Sequence, residues 1–284
     1  MALDYDKLMA LDIPEVEHCY SERDTILYAL SLGYGTSDDE LNFVYEKNLQ
    51  AVPGFGVVLA HPGFWPRDLD TGLQWQKIVH AEQELLLHRP IPPAATVRGR
   101  TRITAIEDKG ADKGAIITCE RLIRDSLDDS PICTVIQRMF CRGDGGFGGT
   151  PQAPVKAAAS VPARPADWLD VLDVASNMAL LYRWNGDLNP LHADPEIAAA
   201  AGFERPILHG LATFGLACKV LLARACEQQP ERLGSLSGRF SSPVLPGQRL
   251  AVEIWHEDDS LAYQVRNLDS GRLAISNGRA MLNQ

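Results

Sequence analysis

Hydrophobic and polar residues alternate in four stretches of the chain, two in each half. The stretches are residues 115–124 and 131–141, then 261–267 and 272–282. Alternation with a period of two is typical of β-strands that bury one face. A further segment, His209–Gln229, is apolar almost all round, as in a helix that is buried on every side. The pattern therefore predicts antiparallel strands in both halves and a central buried helix in the second half.

Helix start and stop signals precede the strands in each half. The pattern predicts a helix over residues 22–32 and another over 170–186. A short helix is predicted to follow, beginning after Asp194. The signals for the first and the short helix are Ser21, Asp24 and Gly33, then Asp194, Pro195 and Gly202. They are N-cap residues, a capping box, a proline at the first helical position and terminal glycines. Helices followed by a run of strands indicate an α+β unit.

The two halves resemble diverged copies of this unit. Pro90, Ile91, Pro93 and Val97 register with Pro243, Val244, Pro246 and Leu250 at a constant offset of 153 residues. A spacing this long indicates duplication of a whole domain. We therefore predict two fused hot-dog units, each an antiparallel sheet wrapped around a central helix. They form a pseudo-dimer within one chain.

A composition break separates the two predicted units. Residues 142–168 are rich in Gly, Pro and Ala, and we divide the chain into a first unit at 1–142, a linker at 143–168 and a second unit at 169–284. The linker contains a G-x-G-x-x-G pattern at Gly143, Gly145 and Gly148. Because the following TPQAPV cannot begin a helix, we do not predict a dinucleotide cofactor.

Charge and composition restrict the partners. Asp and Glu number 37 against 27 Lys and Arg, for a net charge of -10, which argues against nucleic acid or an anionic membrane as partner. The chain has no apolar run of membrane-spanning length and no basic, apolar leader at its start. The six cysteines form no CxxC pair, so we predict reduced thiols, no metal site and a bacterial cytoplasmic location.

The segment YRWNGDLNPLHADPE, 182–196, carries the candidate chemistry. On a helix, Asp187 and His192 would point about 140° apart. Pro190 excludes a helix here, and Gly186 and Asn189 favour a turn, on which a carboxylate and an imidazole can meet at one water. The alternative is a solvated turn in which Asp187 and Asn189 bind their own backbone.

The start of the apolar helix supplies a second candidate group. Gly210 lies at its first turn, where main-chain N–H groups have no partner within the helix. Such groups, at the positive end of the helix dipole, can stabilise a developing oxyanion. An acid/base pair beside an oxyanion site is what an enzyme that forms an enolate requires.

At this point the sequence resembles a known family. YRWNGDLNPLHADPEIAAAAGFERPILHGLATFG is similar to the signature of the MaoC-like hydratases, specifically the (R)-specific 2-enoyl-CoA hydratases called hydratase 2. The segments YSERDTILYALSLGYG and GRFSSPVLPGQRL also resemble the long form of that family, which carries two hot-dog units. The resemblance covers nearly the whole chain.

The resemblance implies a reaction and a set of site residues. The reaction is reversible syn addition of water to a trans-2-enoyl-CoA, giving a (3R)-3-hydroxyacyl-CoA, in fatty acyl-CoA metabolism. CoA is part of the substrate, so no separate cofactor is expected. Asp187 and His192 would hold the water and act as general base and acid, with either of them the base in a given direction. Asn189 would orient them or the water, and the N–H of Gly210 would bind the thioester oxygen. The implied substrate contacts are His80, Ala81, Lys109, Gly186, Leu188, Pro190, Leu191, Arg239 and Phe240.

The first half lacks the G-D-x-N-P-x-H motif. In its place stands TSDDELNFVYEKNLQAVPGFG, which has no histidine. We infer that this unit binds the acyl group or CoA, with Phe55, Phe64 and Trp65 either lining an acyl tunnel or packing in the core. Two rival functions remain, a hot-dog thioesterase and a non-catalytic acyl-CoA binding protein. Pairing of two such chains is also left open.

Overall fold

We describe a computed structural model that covers residues 3–148, 160–258 and 260–283. The helices are α1 Tyr5–Met9, α2 Glu22–Ser31, α3 Trp65–Asp68, α4 Met178–Tyr182, α5 Pro195–Ala200 and α6 Gly210–Ala225. The strands are β1 Val16–Tyr20, β2 Ile78–Leu87, β3 Ala95–Asp108, β4 Ala115–Asp125, β5 Pro131–Cys141, β6 Trp168–Asp173, β7 Leu233–Phe240, β8 Arg249–Glu257, β9 Ser260–Asn267 and β10 Leu273–Leu282. None of the helices in these ranges is long and apolar enough to cross a membrane.

The described strands form one continuous antiparallel sheet. Its order is β1-β3-β4-β5-β2-β7-β10-β9-β8-β6, so each half of the chain supplies five consecutive strands. The halves meet where β2 pairs with β7, with Leu85 opposite Leu236 and Glu82 opposite Arg239. We call this β2–β7 pairing the seam. The two halves hold equivalent places on either side of the seam, as expected for two fused hot-dog units.

Helix α6 is the central helix of the second unit. Nearly every residue from Ala212 to Leu222 is buried, which explains why the segment is apolar all round. A Cβ at Gly215 would lie 2.6 Å from a methyl group of Leu32, so α6 approaches the α2 end of the first unit closely. Residues of both units therefore belong to one hydrophobic core.

The first unit has a short turn where the second has its long helix. Pro53–Val57 forms a 3₁₀ turn that packs against β2, β5 and α6. Phe55 is buried in the shared core, and Trp65 is buried in a separate cluster under β3, β4 and β5, while Phe64 is exposed. A five-residue turn covers less of its sheet than the 16-residue α6 does.

The prediction of one helix over 170–186 is wrong. The segment begins as β6, which pairs with β8 along its whole length, and only Met178–Tyr182 is α-helical. Apolar residues in 170–186 fit a helical spacing, but pairing with the edge of β8 satisfies the backbone and buries Leu172 and Trp168 partly against the core.

The predicted helix caps and the four predicted strands are confirmed. Ser21 and Asp24 form the capping box of α2, and the carboxylate of Asp194 accepts the N–H groups of Glu196 and Ile197 at the start of α5. The four alternating segments are β4, β5, β9 and β10. Residues 149–159 of the predicted linker lie outside the described residues, and the division into 1–142, 143–168 and 169–284 stays a proposal.

Candidate active site

The segment from Gly186 to His192 is a tight turn. Gly186 has a φ of 110°, which favours glycine, and ends the 3₁₀ turn after α4. The side chain of Asn189 accepts the N–H of Leu191 at 3.0 Å and so caps a second 3₁₀ turn, Pro190–His192. The Asp187 carboxylate accepts the N–H of Asn189 at 3.2 Å. Asp187 and Asn189 thus bind their own backbone, as expected for a solvated turn. The same hydrogen bonds fix the positions of Asp187 and His192.

His192 is buried and its tautomer is fixed by the backbone. Its Nδ1 lies 2.9 Å from the carbonyl oxygen of Ile207. Because a carbonyl oxygen only accepts, Nδ1 carries the proton and Nε2 carries a free lone pair. Burial lowers the pKa of His192 below its ordinary value, although the hydrogen bond to Ile207 and the charge of Asp187 raise it. His192 is therefore neutral at pH 7, with Nε2 available as a base.

His209 is a site residue that the sequence analysis left unassigned. Its ring stacks on His192 with centroids 3.7 Å apart and planes 26° apart, and its Nε2 donates to the main-chain carbonyl of Asp187 at 3.1 Å. Only 1% of its surface is exposed. Burial lowers its pKa to about 4, as does the repulsion that a protonated His192 would exert, so His209 is also neutral. The signal was its position directly before Gly210, the first residue of α6.

Three groups converge at this point. A carboxylate oxygen of Asp187 and one ring nitrogen each of His192 and His209 lie within 4.8 Å of one another. Two imidazoles and one carboxylate could also bind a transition metal at this spacing. The hydrogen bond from His209 to the Asp187 carbonyl occupies one of its two ring nitrogens, however, and leaves Nδ1 without a partner in the described residues.

Gly210 places an unpaired N–H beside this cluster. It follows His209 directly and is the first residue of α6, and its N–H has no acceptor among the described residues. A Cβ at this position would lie 3.2 Å from the ring of Phe240. Glycine thus leaves the N-terminus of the 16-residue helix open toward the seam.

The seam brings a histidine of the first unit to the same region. The rings of His80 on β2 and Phe240 on β7 meet edge to face at 4.8 Å, and His80 Nε2 donates to the carbonyl of Glu82 at 3.2 Å. Burial lowers the pKa of His80. Ala81 lies at a bulge in β2, where the register to β5 shifts. Its φ is not positive, so the backbone of the bulge accommodates alanine without strain.

Most of the remaining candidates lie on exposed positions. Arg239 is exposed on β7 opposite Glu82. Leu188 and Pro190 of the turn are exposed, whereas Leu191 is half-buried. Lys109 pairs with Glu107 at 2.7 Å in the β3–β4 hairpin. The contacts of Lys109 are within that hairpin, and none of them reaches the Asp187 turn in the described structure.

The chain matches known families and proteins along nearly its whole length. Residues 18–143 match the MFE-2 hydratase 2 N-terminal domain and residues 147–277 match the MaoC like domain. The peroxisomal enoyl-CoA hydratase 2 of Arabidopsis thaliana is 34% identical over 95% of this chain and 93% of its own length. The peroxisomal multifunctional enzyme type 2 of Mus musculus is 35% identical over 93% of this chain, which spans only 37% of that enzyme.

A solved structure has the same fold throughout. The MaoC-like dehydratase from Phytophthora capsici is 30% identical, covers 99% of both chains and superposes with a TM-score of 0.88. Both the order of the domains and the overall fold agree with the two-unit architecture described above. The chain therefore belongs to the MaoC-like hydratase 2 family, in its double hot-dog form.

Proposed function

We propose that the protein catalyses reversible syn hydration of a trans-2-enoyl-CoA to a (3R)-3-hydroxyacyl-CoA. The observation that carries the proposal is the convergence of the Asp187 carboxylate and the His192 imidazole beside the free N–H of Gly210. The Arabidopsis relative is named as an enoyl-CoA hydratase 2, which supports the reaction class. The hydration of an enoyl thioester needs a base, a proton donor and a stabilised thioester oxygen, and each has a candidate here.

His192 is the proposed base for hydration. The bond from Nδ1 to Ile207 directs Nε2 away from the backbone, and burial keeps the ring neutral. Nε2 takes a proton from water as the water oxygen bonds to C3. The imidazolium then returns that proton to C2 from the same face, so that water adds across the double bond with syn geometry.

Asp187 is the proposed partner of the water and of the imidazolium. Its carboxylate can accept a water hydrogen bond, and its negative charge stabilises the protonated ring. Asn189 holds this carboxylate through its N–H and holds the turn through its side chain. We therefore assign Asn189 the role of a positioning residue.

Gly210 is the proposed oxyanion site. Negative charge develops on the thioester oxygen when hydroxide adds to C3 and an enolate-like state forms. An N–H at the start of a 16-residue helix is oriented before the reaction and lies at the positive end of the dipole. Removal of one oxyanion donor costs about 10²- to 10³-fold in kcat in other enzymes.

The seam residues are the proposed thioester contacts. His80 and Phe240 contact each other beside Gly210, and Phe240 covers the helix start. Arg239 is exposed nearby and can meet a CoA phosphate. Lys109 is the weakest of these assignments because its described contacts stay within its own hairpin.

The test is hydration of a medium-chain trans-2-enoyl-CoA with chiral analysis of the product. We expect the native protein to form the (3R) alcohol and Asp187→Asn and His192→Gln to lose about 10²- to 10⁴-fold in kcat. His256→Gln, an exposed histidine of the same unit, is the matched control and should retain native activity. Release of free CoA would indicate a thioesterase instead. A (3S) product, or a native protein as slow as the variants, would refute the proposal.

The compartment is not decided by the relatives. The Arabidopsis and mouse proteins are named as peroxisomal, and an enoyl-CoA hydratase of Mycobacterium tuberculosis is 35% identical over 93% of both chains. The bacterial cytoplasmic location stays a prediction from the sequence.

A further inference from the structure

A buried arginine lies on the inner face of the first unit's sheet. Arg121 is in the middle of β4, between Thr101 on β3 and Val135 on β5, and only 5% of its surface is exposed. Its Nη2 donates to the carbonyl of Val57 at 2.6 Å, so the side chain points toward the 3₁₀ turn that replaces a central helix. An arginine at the centre of a sheet, facing inward, is not an ordinary surface charge.

No carboxylate in the described part of the chain neutralises Arg121. The bond to Val57 is the hydrogen bond that its guanidinium makes there, and its Nε has no partner. The neighbouring thiols of Cys119 and Cys133 are neutral, because burial raises the pKa of each to about 12. Burial lowers the pKa of Arg121 only to about 10, so the group stays cationic at neutral pH. A buried cation without a partner is strongly destabilising.

A second polar group beside Arg121 is also unpaired. Thr101 stands directly opposite Arg121 in the β3–β4 register, and its hydroxyl is buried without a hydrogen-bond partner. A guanidinium and a hydroxyl that start from facing positions of neighbouring strands could both donate to one bound anion. The paired N–H donors of an arginine match the two oxygens of a planar carboxylate. Arg121 and Thr101 therefore suit an acyl chain that ends in a carboxylate better than one that ends in a methyl group.

Two histidines connect this pair to the candidate active site. The positive charge of Arg121 lowers the pKa of both His61 and His80, whereas the negative charge of Asp187 raises both. Arg121 also packs beside the backbone that leads into His61, because its Cδ and the Cβ of Ala60 both lie against Gly99 of β3. Arg121 is two strands from β2, or about 10 Å across the sheet, on the side away from the second unit. An acyl chain whose thioester lies at Gly210 and His80 would have to cross β5 to reach Arg121.

We propose that Arg121 and Thr101 bind a carboxylate at the far end of the acyl chain, so that the preferred substrate is the enoyl thioester of a dicarboxylic acid. The proposal rests on the proposed hydratase function and adds the substrate class. The first unit then contributes specificity, while the second unit contributes the chemistry. A CoA phosphate is the other anion available, but Arg121 is nearly inaccessible from the surface where a nucleotide would lie.

The test compares two trans-2-enoyl-CoA series, one ending in a carboxylate and one in a methyl group, over a range of chain lengths. We expect the native protein to prefer the carboxylated series at its best length by about 10-fold or more in kcat/KM. Arg121→Met should lose about 10- to 100-fold on that substrate and change little on the methyl-ended one. Arg124→Met, on the opposite face of the same strand, is the matched control and should change neither.

The outcomes separate this proposal from its alternatives. An equal loss on both series would overturn it, because a strut for the Val57 turn or a contact to a CoA phosphate affects every substrate alike. No preference in the native protein would also overturn it. Thr101→Val provides a milder variant if Arg121→Met fails to fold, with a loss confined to the carboxylated series expected. If the native protein hydrates neither series, the proposed function itself has failed.

Discussion

The imidazole of His209 stacks on that of His192 at 3.7 Å while its Nε2 binds the main-chain carbonyl of Asp187. His209 thus holds both members of the proposed acid/base pair without being one of them. We expect His209→Ala to lower kcat about 10- to 100-fold with a much smaller change in KM, because misplacement of reacting groups is costly. His209→Gln, which can keep the donor to Asp187, should recover part of the rate. Native kcat in His209→Ala would contradict the positioning role.

The buried histidines should make the protein less stable in acid. In the unfolded chain a histidine binds its proton near pH 6.5, whereas His192 and His209 bind theirs at lower pH in the folded state. The unfolded state therefore binds more protons, and the free energy of unfolding falls as pH drops through 6.5. Each such group contributes up to about 2 kcal/mol between pH 7.5 and 5. Denaturant titrations at both pH values measure this, and His209→Gln should show a smaller difference than the native protein.

Asn189 provides a test of positioning against direct participation. Its side-chain oxygen caps the Pro190–His192 turn, and serine is an equally good cap. We expect Asn189→Ser to retain activity within a few-fold and Asn189→Ala to lose about 10-fold in kcat. If the amide itself orients the water, both variants would lose activity equally, which steady-state kinetics would reveal.

A buried ion pair joins the two units. Lys219 on α6 contacts Glu40 of the first unit at 2.7 Å, with side-chain exposures of 12% and 7%. Removing one partner of a buried pair typically costs about 3 kcal/mol, so Lys219→Met should lower the free energy of unfolding by about that amount. Lys7→Met breaks a 2.7 Å pair with Asp70 that is exposed, and should change stability by less than about 1 kcal/mol. Equal effects of the two changes would show that burial of the pair has no energetic consequence.

We expect a metal ion bound to the Asp187, His192 and His209 cluster to inhibit hydratase activity rather than support it. The proposed reaction uses the free Nε2 of His192, and a zinc ion bridging the cluster would occupy it. We expect activity to survive dialysis against a chelator and to fall on addition of Zn²⁺, with recovery when the chelator is restored. Loss of activity on chelation alone would instead indicate a metal-dependent reaction.

The candidate turn could be predicted from the sequence because its geometry is local. Gly186, Asn189 and Pro190 fix the backbone within seven residues, and the open N-terminus of α6 follows from its apolar pattern and Gly210. The stacking of His209 on His192 could not be read in the same way. The stacking depends on the path of residues 193–208, which bring His209 back beside the turn. The sequence shows only that a histidine precedes Gly210.

The failures have a common physical cause. Residues 170–173 belong to the segment 170–186, whose apolar side chains fit a helical spacing, yet a neighbouring strand edge determines their conformation. The short Pro53–Val57 turn and the inward position of Arg121 likewise depend on contacts with distant strands. Hydrophobic period and capping signals report on neighbours within a turn or two, and they carry no information about partners across a sheet.

The seam also bears on how such a protein could arise and be taken apart. Main-chain pairing of β2 with β7, a shared core and the Lys219–Glu40 pair hold the two halves together. Covalent fusion keeps the stoichiometry fixed, since it guarantees that each half with the proposed catalytic turn meets a half without that turn. Two like halves would duplicate one surface, whereas the fused pair leaves the first half free to evolve a different pocket. The chain thus joins two unlike units, which share one sheet and one core, in a single polypeptide.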